Sequence, residues 1–350
     1  MASAIRVKAG KLEVGGGAPV SVQSMTNTDS RDREATLRQI LDLAACGCEL
    51  VRVSVFDEIC AENVRYLVDH SPVPLSADIH FDHRLAIRSV ENGIHCLRIN
   101  PGNIGSAEKV RMVADCLKAH RIPVRIGVNS GSLEKEILNK YGRVTAQGLV
   151  ESALGHAALL EKEGFRDIIL SMKSSSVPMT VEAYRIAARK CDYPLHVGVT
   201  EAGLPGAGTV KSAIGIGALL LDGIGDTIRV SLTGDPREEV RAALDILRAL
   251  EIRRGFRLVA CPTCGRTRLD TPAIARRVEE AFKDEKKDIT VAVMGCVVNG
   301  PGEAGEAQVA LCGGDGCGAL YIEGKYVRKL TGDVAGEFIE AVRSYLDDIR

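Results

Sequence analysis

Short runs of β-branched and apolar residues alternate with longer segments of helical period over the first two-thirds of the chain. Eight runs have the length and composition of buried strands: Val20–Ser24, Leu50–Val55, Leu75–His80, Cys96–Asn100, Val124–Val128, Asp167–Met172, Leu195–Val199 and Asp226–Leu232. Between them, segments such as Arg33–Cys46, Ala107–His120 and Thr145–Glu163 space their apolar residues for one face of a helix. Strands that alternate with helices eight times predict an α/β fold, a (β/α)8 TIM barrel. A doubly wound open sheet is the alternative. It is disfavoured because Gly15-Gly16-Gly17 precedes the first strand, and Gly215-Ile216-Gly217 lacks the third glycine of a dinucleotide-binding loop.

The pattern changes after the helix Glu238–Ile252. Arg253-Arg254-Gly255 reads as a break, so residues 1–252 form the barrel and 253–350 a second, small α+β domain. That domain reads as a strand at Arg257–Ala260, a helix at Pro272–Lys286 and a strand at Ile289–Met294. Two short strands near Ala307–Leu311 and Ala319–Glu323 precede a last helix, Val334–Ile349.

Charge and composition narrow the function classes. The 350 residues carry 45 basic and 46 acidic side chains, a net charge of −1, which argues against a nucleic-acid binder working through bulk positive field. No apolar run reaches the ~18 residues of a membrane span. Met1–Leu12 has no apolar signal core, so a cytoplasmic location is expected. The unusual quantity is eleven cysteines. Cys46, Cys48, Cys60, Cys96, Cys116 and Cys191 lie in apolar helix or strand patterns, where a reduced cysteine is a small hydrophobe. Cys261, Cys264, Cys296, Cys312 and Cys317 crowd into the last quarter.

Catalytic groups of such barrels come from the C-terminal ends of the strands. Arg52, Arg98, Arg125, Lys173 and Arg229 occupy those ends on five different strands, alternating with apolar neighbours as in Arg98-Ile99 and Arg125-Ile126. Period-two alternation sends the cations inward. Five cations in one mouth repel one another unless an anion binds, and guanidinium groups suit phosphate oxygens; a diphosphate or doubly phosphorylated small molecule would satisfy the set. The alternative is that Asp78, Asp82 and Glu201 neutralise them as structural ion pairs. Asn100, Asn129 and Ser231 would add neutral donors, Glu201 is the carboxylate best placed to move a proton, and His80 and His196 are weaker candidates.

Cys261-Pro262-Thr263-Cys264 is a CxxC turn with three readings: zinc, a redox dithiol, or an iron–sulfur ligand pair. Cys312 and Cys317 could complete a zinc site. The stretch Met294-Gly295-Cys296-Val297-Val298-Asn299-Gly300-Pro301-Gly302-Glu303 puts one further cysteine at a strand end, then a Gly/Pro-rich turn and a carboxylate. Three thiolates and one oxygen make a poor structural zinc site.

CPTCGR and MGCVVNGPGE, with VQSMTNT, ADIHFD, RINPGNIG and VGVTEAG in the barrel, resemble the 4-hydroxy-3-methylbut-2-enyl diphosphate synthase family of the methylerythritol phosphate route to isoprenoids. The resemblance runs along nearly the whole chain and is to the two-domain bacterial form. It implies a [4Fe–4S] cluster ligated by Cys261, Cys264, Cys296 and Glu303 in an iron–sulfur domain. It also implies 2-C-methyl-D-erythritol 2,4-cyclodiphosphate as substrate, clamped by Arg52, Arg98, Arg125, Lys173 and Arg229 with His80, Asn100, Asn129 and Ser231. The reaction implied is a two-electron reductive ring opening and dehydration, with Glu303 giving way to a substrate oxygen and Glu201 as proton donor. Electrons would come from reduced flavodoxin or ferredoxin. Because the cluster domain follows the eighth βα unit, whose helix ends on the face opposite the mouth, a head-to-tail homodimer is expected, each cluster domain capping the partner's barrel. Two rival readings are a zinc-stabilised barrel lyase or hydrolase acting on a phosphorylated sugar, and a non-catalytic iron–sulfur electron carrier.

Overall fold

The protein is described by a computed structural model covering residues 3–297, 302 and 304–349. It divides into two compact units, Met1–Ile246 and Leu247–Arg350, with the division inside a helix rather than at the Arg253-Arg254-Gly255 break.

The first unit opens with a hairpin that the sequence pattern does not announce, β1 (Arg6–Ala9) against β2 (Leu12–Gly15), turning through Gly10 at φ 58°. Val7 and Val14 of this hairpin bury against Ile169 of the barrel wall. Eight parallel strands follow: β3 (Ser21–Met25), β4 (Leu50–Ser54), β5 (Leu75–Asp78), β6 (Cys96–Ile99), β7 (Val124–Asn129), β8 (Ile168–Lys173), β9 (His196–Val197) and β10 (Thr227–Ile228). Each falls where the apolar runs predict a strand. Neighbours pair in chain order from β3 to β8, and β10 pairs with both β9 and β3. A parallel bridge from Leu170 to Leu195, with Leu170 N donating to Pro194 O at 2.9 Å, brings the two ends of the sheet together.

The helices between strands are α1 (Arg33–Ala45), α2 (Glu58–His70), α3 (His83–Glu91), the short α4 (Pro101–Ile104), α5 (Ala107–His120), α6 (Lys135–Tyr141), α7 (Ala146–Lys162), α8 (Val177–Ala188), α9 (Ala207–Leu221) and α10 (Pro236–Ala249). Side-chain caps start them where the loops end: Asp32, Asp57, Asp82, Thr145 and Ser176 each accept a backbone N–H of the first turn. Outward residues such as Val51, Val53, Leu97, Ile99, Ile126 and Leu170 bury fully beneath these helices. The inward residues are mostly polar, which is why they define the site.

The second unit is a five-stranded sheet in simple order: β11 (Phe256–Ala260), β12 (Ile289–Met294), β13 (Val309–Gly314), β14 (Cys317–Ile322) and β15 (Lys325–Leu330). The first three are parallel and the last two antiparallel. Strand β15 was not expected from hydropathy. Its residues from Lys325 to Lys329 are all exposed, as suits a charged edge strand that resists pairing with another sheet. Helices α11 (Thr271–Phe282) and α12 (Val334–Asp348) supply Val278, Phe282, Phe338 and Val342 to a core with Ile289, Val291, Val293 and Leu311. The other face carries small residues, Ala292, Ala304, Ala307, Ala310 and Cys312.

All eleven cysteines are free thiols. Burial pushes Cys48 up to about 12 and Cys60 and Cys96 up to about 11, as fits packing residues. Among the described residues no helix is long and apolar enough to cross a membrane.

Candidate active site

The pleat of β4, β6, β7 and β8 and the chain leaving β10 turn Arg52, Arg98, Arg125, Lys173 and Arg229 toward one another at the C-terminal end of the barrel. Each of Arg52, Arg125 and Lys173 feels the charge of several of the others. Two carboxylates stand among them. Asp78 Oδ1 accepts from Arg98 Nη1 at 3.1 Å, and Asp78 Oδ2 lies 3.7 Å from Arg52 Nε. Glu239, on the first turn of α10, takes Arg229 at 3.3 Å on each oxygen and also accepts from Ser24 Oγ and Leu232 N at 3.0 Å. Burial alone would raise Asp78, but Arg52, Arg98, His80 and Arg125 outweigh it and hold its carboxyl below the usual range.

Two carboxylates do not satisfy five cations, and the remaining donors have weak partners or none. Arg52 gives Nε and Nη2 to the thioether sulfur of Met25 at 3.0 and 2.7 Å, a poor acceptor for a guanidinium. Arg125 is 3 % exposed and donates Nη1 to Gln23 Oε1 at 2.7 Å, while its Nε and Nη2 are buried with no acceptor among the described residues. Burial, then the charge of Arg98, pushes Arg125 down to about 10. Lys173, 7 % exposed, sits 3.2 Å from His196 Nε2 and is held well below the usual lysine range by burial and then by Arg125, Arg229 and Arg52. The same burial and the neighbouring Lys173 drive His196 far down, so its imidazole is neutral and accepts from the lysine. Glycines make this crowding possible. A β-carbon at Gly127 would stand 2.5 Å from Arg98 Nε, and one at Gly198 would stand 2.9 Å from Lys173 Nζ and 2.3 Å from Arg229 O.

The neutral candidates ring this cluster at the strand ends. Asn100 caps α4, its Oδ1 accepting from Gly102 N at 3.1 Å. Asn129 ends β7, and Ser231 follows β10 half-exposed. His80 is exposed, with Nε2 3.4 Å from Arg98 Nη1. Glu201 lies on the loop after β9, exposed, in the left-handed region at φ 52°. Of the carboxylates that alternation suggested as structural partners, only Asp78 serves. Asp82 instead caps α3 and holds Arg84 at 2.8 Å, and Glu201 makes no ion pair among the described residues. Sequence reasoning missed Gln23, Met25 and Glu239. The first two share the inward parity of β3, whereas Glu239 shows its role only once α10 brings it to Ser24 and Arg229.

In the second unit, the parallel register Ala260↔Val293 delivers Cys261 and Cys296 to the same end of adjacent strands. Cys261 N donates to Val293 O at 3.0 Å and Arg268 N to Gly295 O at 2.9 Å, so the CxxC turn is laced to the segment that carries Cys296. Within the turn Thr263 adopts φ 68°, a strained setting for a β-branched residue. Cys264 is exposed, its sulfur accepting the Arg266 N–H at 3.5 Å. Gly295 packs so closely that a β-carbon would meet Thr267 Cγ2 at 2.9 Å and Thr271 Oγ1 at 3.0 Å. Soft sulfur donors, accessible and backbone-stabilised on a strained turn, fit an iron–sulfur group. Among the described residues no three ligating side chains gather tightly enough for a single metal ion. Glu303, the fourth expected ligand, lies outside the described residues. Cys312 differs from these cysteines: it is buried in the alanine-rich layer, and burial raises it to about 11.

Comparison with known proteins follows the same division. The GcpE TIM-barrel domain family matches residues 4–244, and the GcpE protein C-terminal domain family matches residues 257–344. A Clostridium perfringens protein named 4-hydroxy-3-methylbut-2-en-1-yl diphosphate synthase (flavodoxin) is 53% identical over 341 residues, 97% of this chain and 98% of that one. A protein of the same name from Caldanaerobacter subterraneus is 56% identical over 320 residues, 91% and 90% of the two chains. The solved N-acetylneuraminic acid (sialic acid) synthetase of Leptospira borgpetersenii covers 72% of this chain and 90% of its own at a TM-score of 0.52 and 14% identity, a likeness of fold alone. With its barrel and its C-terminal unit both matched, and in that order, the chain belongs to the GcpE family.

Proposed function

We propose that this protein converts 2-C-methyl-D-erythritol 2,4-cyclodiphosphate to 4-hydroxy-3-methylbut-2-enyl diphosphate, by reductive ring opening and dehydration in isoprenoid biosynthesis. The names of its relatives support the reaction. The observation in this chain that carries it is the surplus of buried donors in the barrel: five basic side chains to two carboxylates, with the Nε and Nη2 of Arg125 unmatched among the described residues. A cyclic diphosphate brings the oxygens those donors lack.

In this reading Arg52, Arg98, Arg125, Lys173 and Arg229 hold the two phosphates, and His80, Asn100, Asn129 and Ser231 orient the carbon skeleton between them. Glu201 supplies the proton to the departing hydroxyl, which leaves as water. Ring opening breaks the carbon–oxygen bond to one phosphate, and two electrons balance the loss of both oxygens from carbon. A [4Fe–4S] cluster held by Cys261, Cys264, Cys296 and Glu303 would supply Lewis acidity and deliver electrons singly. Reduced flavodoxin, named for the relatives, is the donor, with ferredoxin of the same chemical class as the alternative. Free thiols throughout the chain suit a reducing cytoplasm. Two copies act head to tail, the C-terminal unit of each closing the barrel of the other, because a barrel's last helix returns to the face opposite its active site.

Three measurements test this reading. Anaerobic reconstitution followed by iron, sulfide and zinc analysis is expected to give about four irons and four labile sulfides per chain; Cys264→Ser should lose most of them and Cys317→Ser should not. Zinc without labile sulfide would overturn the assignment. Lys173 is depressed below its usual 10.5 in the free protein, so an anion that restores its charge must bring a proton with it. Between the depressed value and the restored one, cyclodiphosphate binding should take up protons in calorimetry across buffers of different ionisation enthalpy, and affinity should fall as pH rises. Lys173→Met should abolish the uptake, whereas proton-neutral binding by the unmodified protein would exclude this role. Finally, mixing Cys296→Ser with Arg98→Ala chains should restore part of the activity that neither has alone; no complementation would contradict the head-to-tail dimer.

A further inference from the structure

One buried imidazole takes no part in the chemistry above. His156 lies on α7, 6 % exposed, and its Nε2 is hydrogen-bonded to Glu134 Oε1. One turn earlier on the same helix, Ser152 Oγ donates to the same carboxylate oxygen at 2.9 Å. Glu134 belongs to the chain leaving β7, five residues beyond Asn129, and its Oε2 is buried without a partner among the described residues. The imidazole also lies against Gly102: a β-carbon there would stand 2.5 Å from His156 Cε1 and 3.3 Å from Nδ1. Gly102 is part of α4, and its N–H is the one that Asn100 caps. A single side chain thus touches the two segments that carry Asn100 and Asn129.

Burying one carboxylate oxygen against an imidazole costs desolvation, here on a Glu134 side chain that is otherwise 32% exposed. What this pair fixes is the separation between the β6 and β7 loops. Glycine at 102 is required for the contact, as any side chain would displace the ring.

We propose that His156 and Glu134 form a clasp that sets the spacing of Asn100 and Asn129 and thereby the affinity for the diphosphate substrate. Both are positioning residues that do not touch the substrate, and the proposal rests on the substrate-binding role given to the two loops above. His156→Phe keeps a ring against Gly102 but removes the donor to Glu134; His156→Gln keeps a donor and gives up the ring. In the reconstituted holoenzyme with cyclodiphosphate and a chemical reductant, His156→Phe is expected to raise KM about tenfold while kcat changes less than about twofold. His156→Gln should recover most of that loss. Hydrogen exchange at backbone amides 102–104 and 133–135 should quicken in His156→Phe, with the amides of β12 unchanged. An unchanged KM in both variants, or an equal fall in kcat, would overturn the proposal. Absence of turnover in the unmodified enzyme would instead defeat the functional reading, and the clasp then stands or falls on the exchange measurement alone. If His156→Phe does not fold, Glu134→Gln, which keeps the shape of the pair and weakens its charge, carries the same KM and exchange criteria.

Discussion

Like charges gathered at the centre of a barrel repel by several kcal/mol per close pair, roughly 4 kcal/mol at 4 Å for an effective dielectric near 20. The inner wall of this barrel is organised around that repulsion. Asp78 is shared between Arg52 and Arg98, Glu239 neutralises Arg229, and Arg125 is left with a glutamine. Burial, and then the same field, keep the Lys173 proton loosely held and the His196 ring neutral beneath it. The fold tolerates this because the closed ring of parallel strands and the helices over Val51, Leu97, Ile126 and Leu170 supply stability from the outer face. The interior is then free to be poor in partners for its cations, and a multiply charged anion is the ligand that completes it.

The second unit follows an opposite logic. Its CxxC turn sits at the exposed end of a sheet whose larger apolar core, around Phe338 and Val278, lies on one face and a smaller alanine-rich layer on the other. Parallel pairing of β11 with β12 brings Cys261 and Cys296 to one edge from positions far apart in the chain, and the strained backbone at Thr263 folds the CxxC turn back beside them. Buried thiols such as Cys312 are raised and inert, whereas Cys264 is exposed and accepts a backbone hydrogen bond.

Much of this was legible in the chain itself. All eight barrel strands stand where β-branched runs are bounded by turns, because a strand buried on both faces needs such a run. The five cations were legible through alternation, since period two leaves no choice of side once the apolar neighbours face the helices. What escaped depended on tertiary partners. Glu239 sits on a helix, outside any strand-end motif, and its role appears only when α10 packs beside β3 and β10. Asp82 reads like Asp78 in sequence, yet it caps a helix instead. The strands of the β1–β2 hairpin are only four residues each and the edge strand β15 is almost wholly exposed, and the His156–Glu134 pair joins a helix to a loop across 22 residues of sequence.

The central claim is that the surplus of donors in the barrel binds a cyclic diphosphate for reduction by an iron–sulfur centre. The most direct measurement is anaerobic turnover of 2-C-methyl-D-erythritol 2,4-cyclodiphosphate by the reconstituted protein with a chemical reductant, the product identified by phosphorus NMR. The account predicts a linear diphosphate formed in proportion to electrons consumed, two per molecule, and lost with Arg125→Met. Recovery of unchanged cyclodiphosphate from protein carrying a full complement of iron and labile sulfide would contradict it.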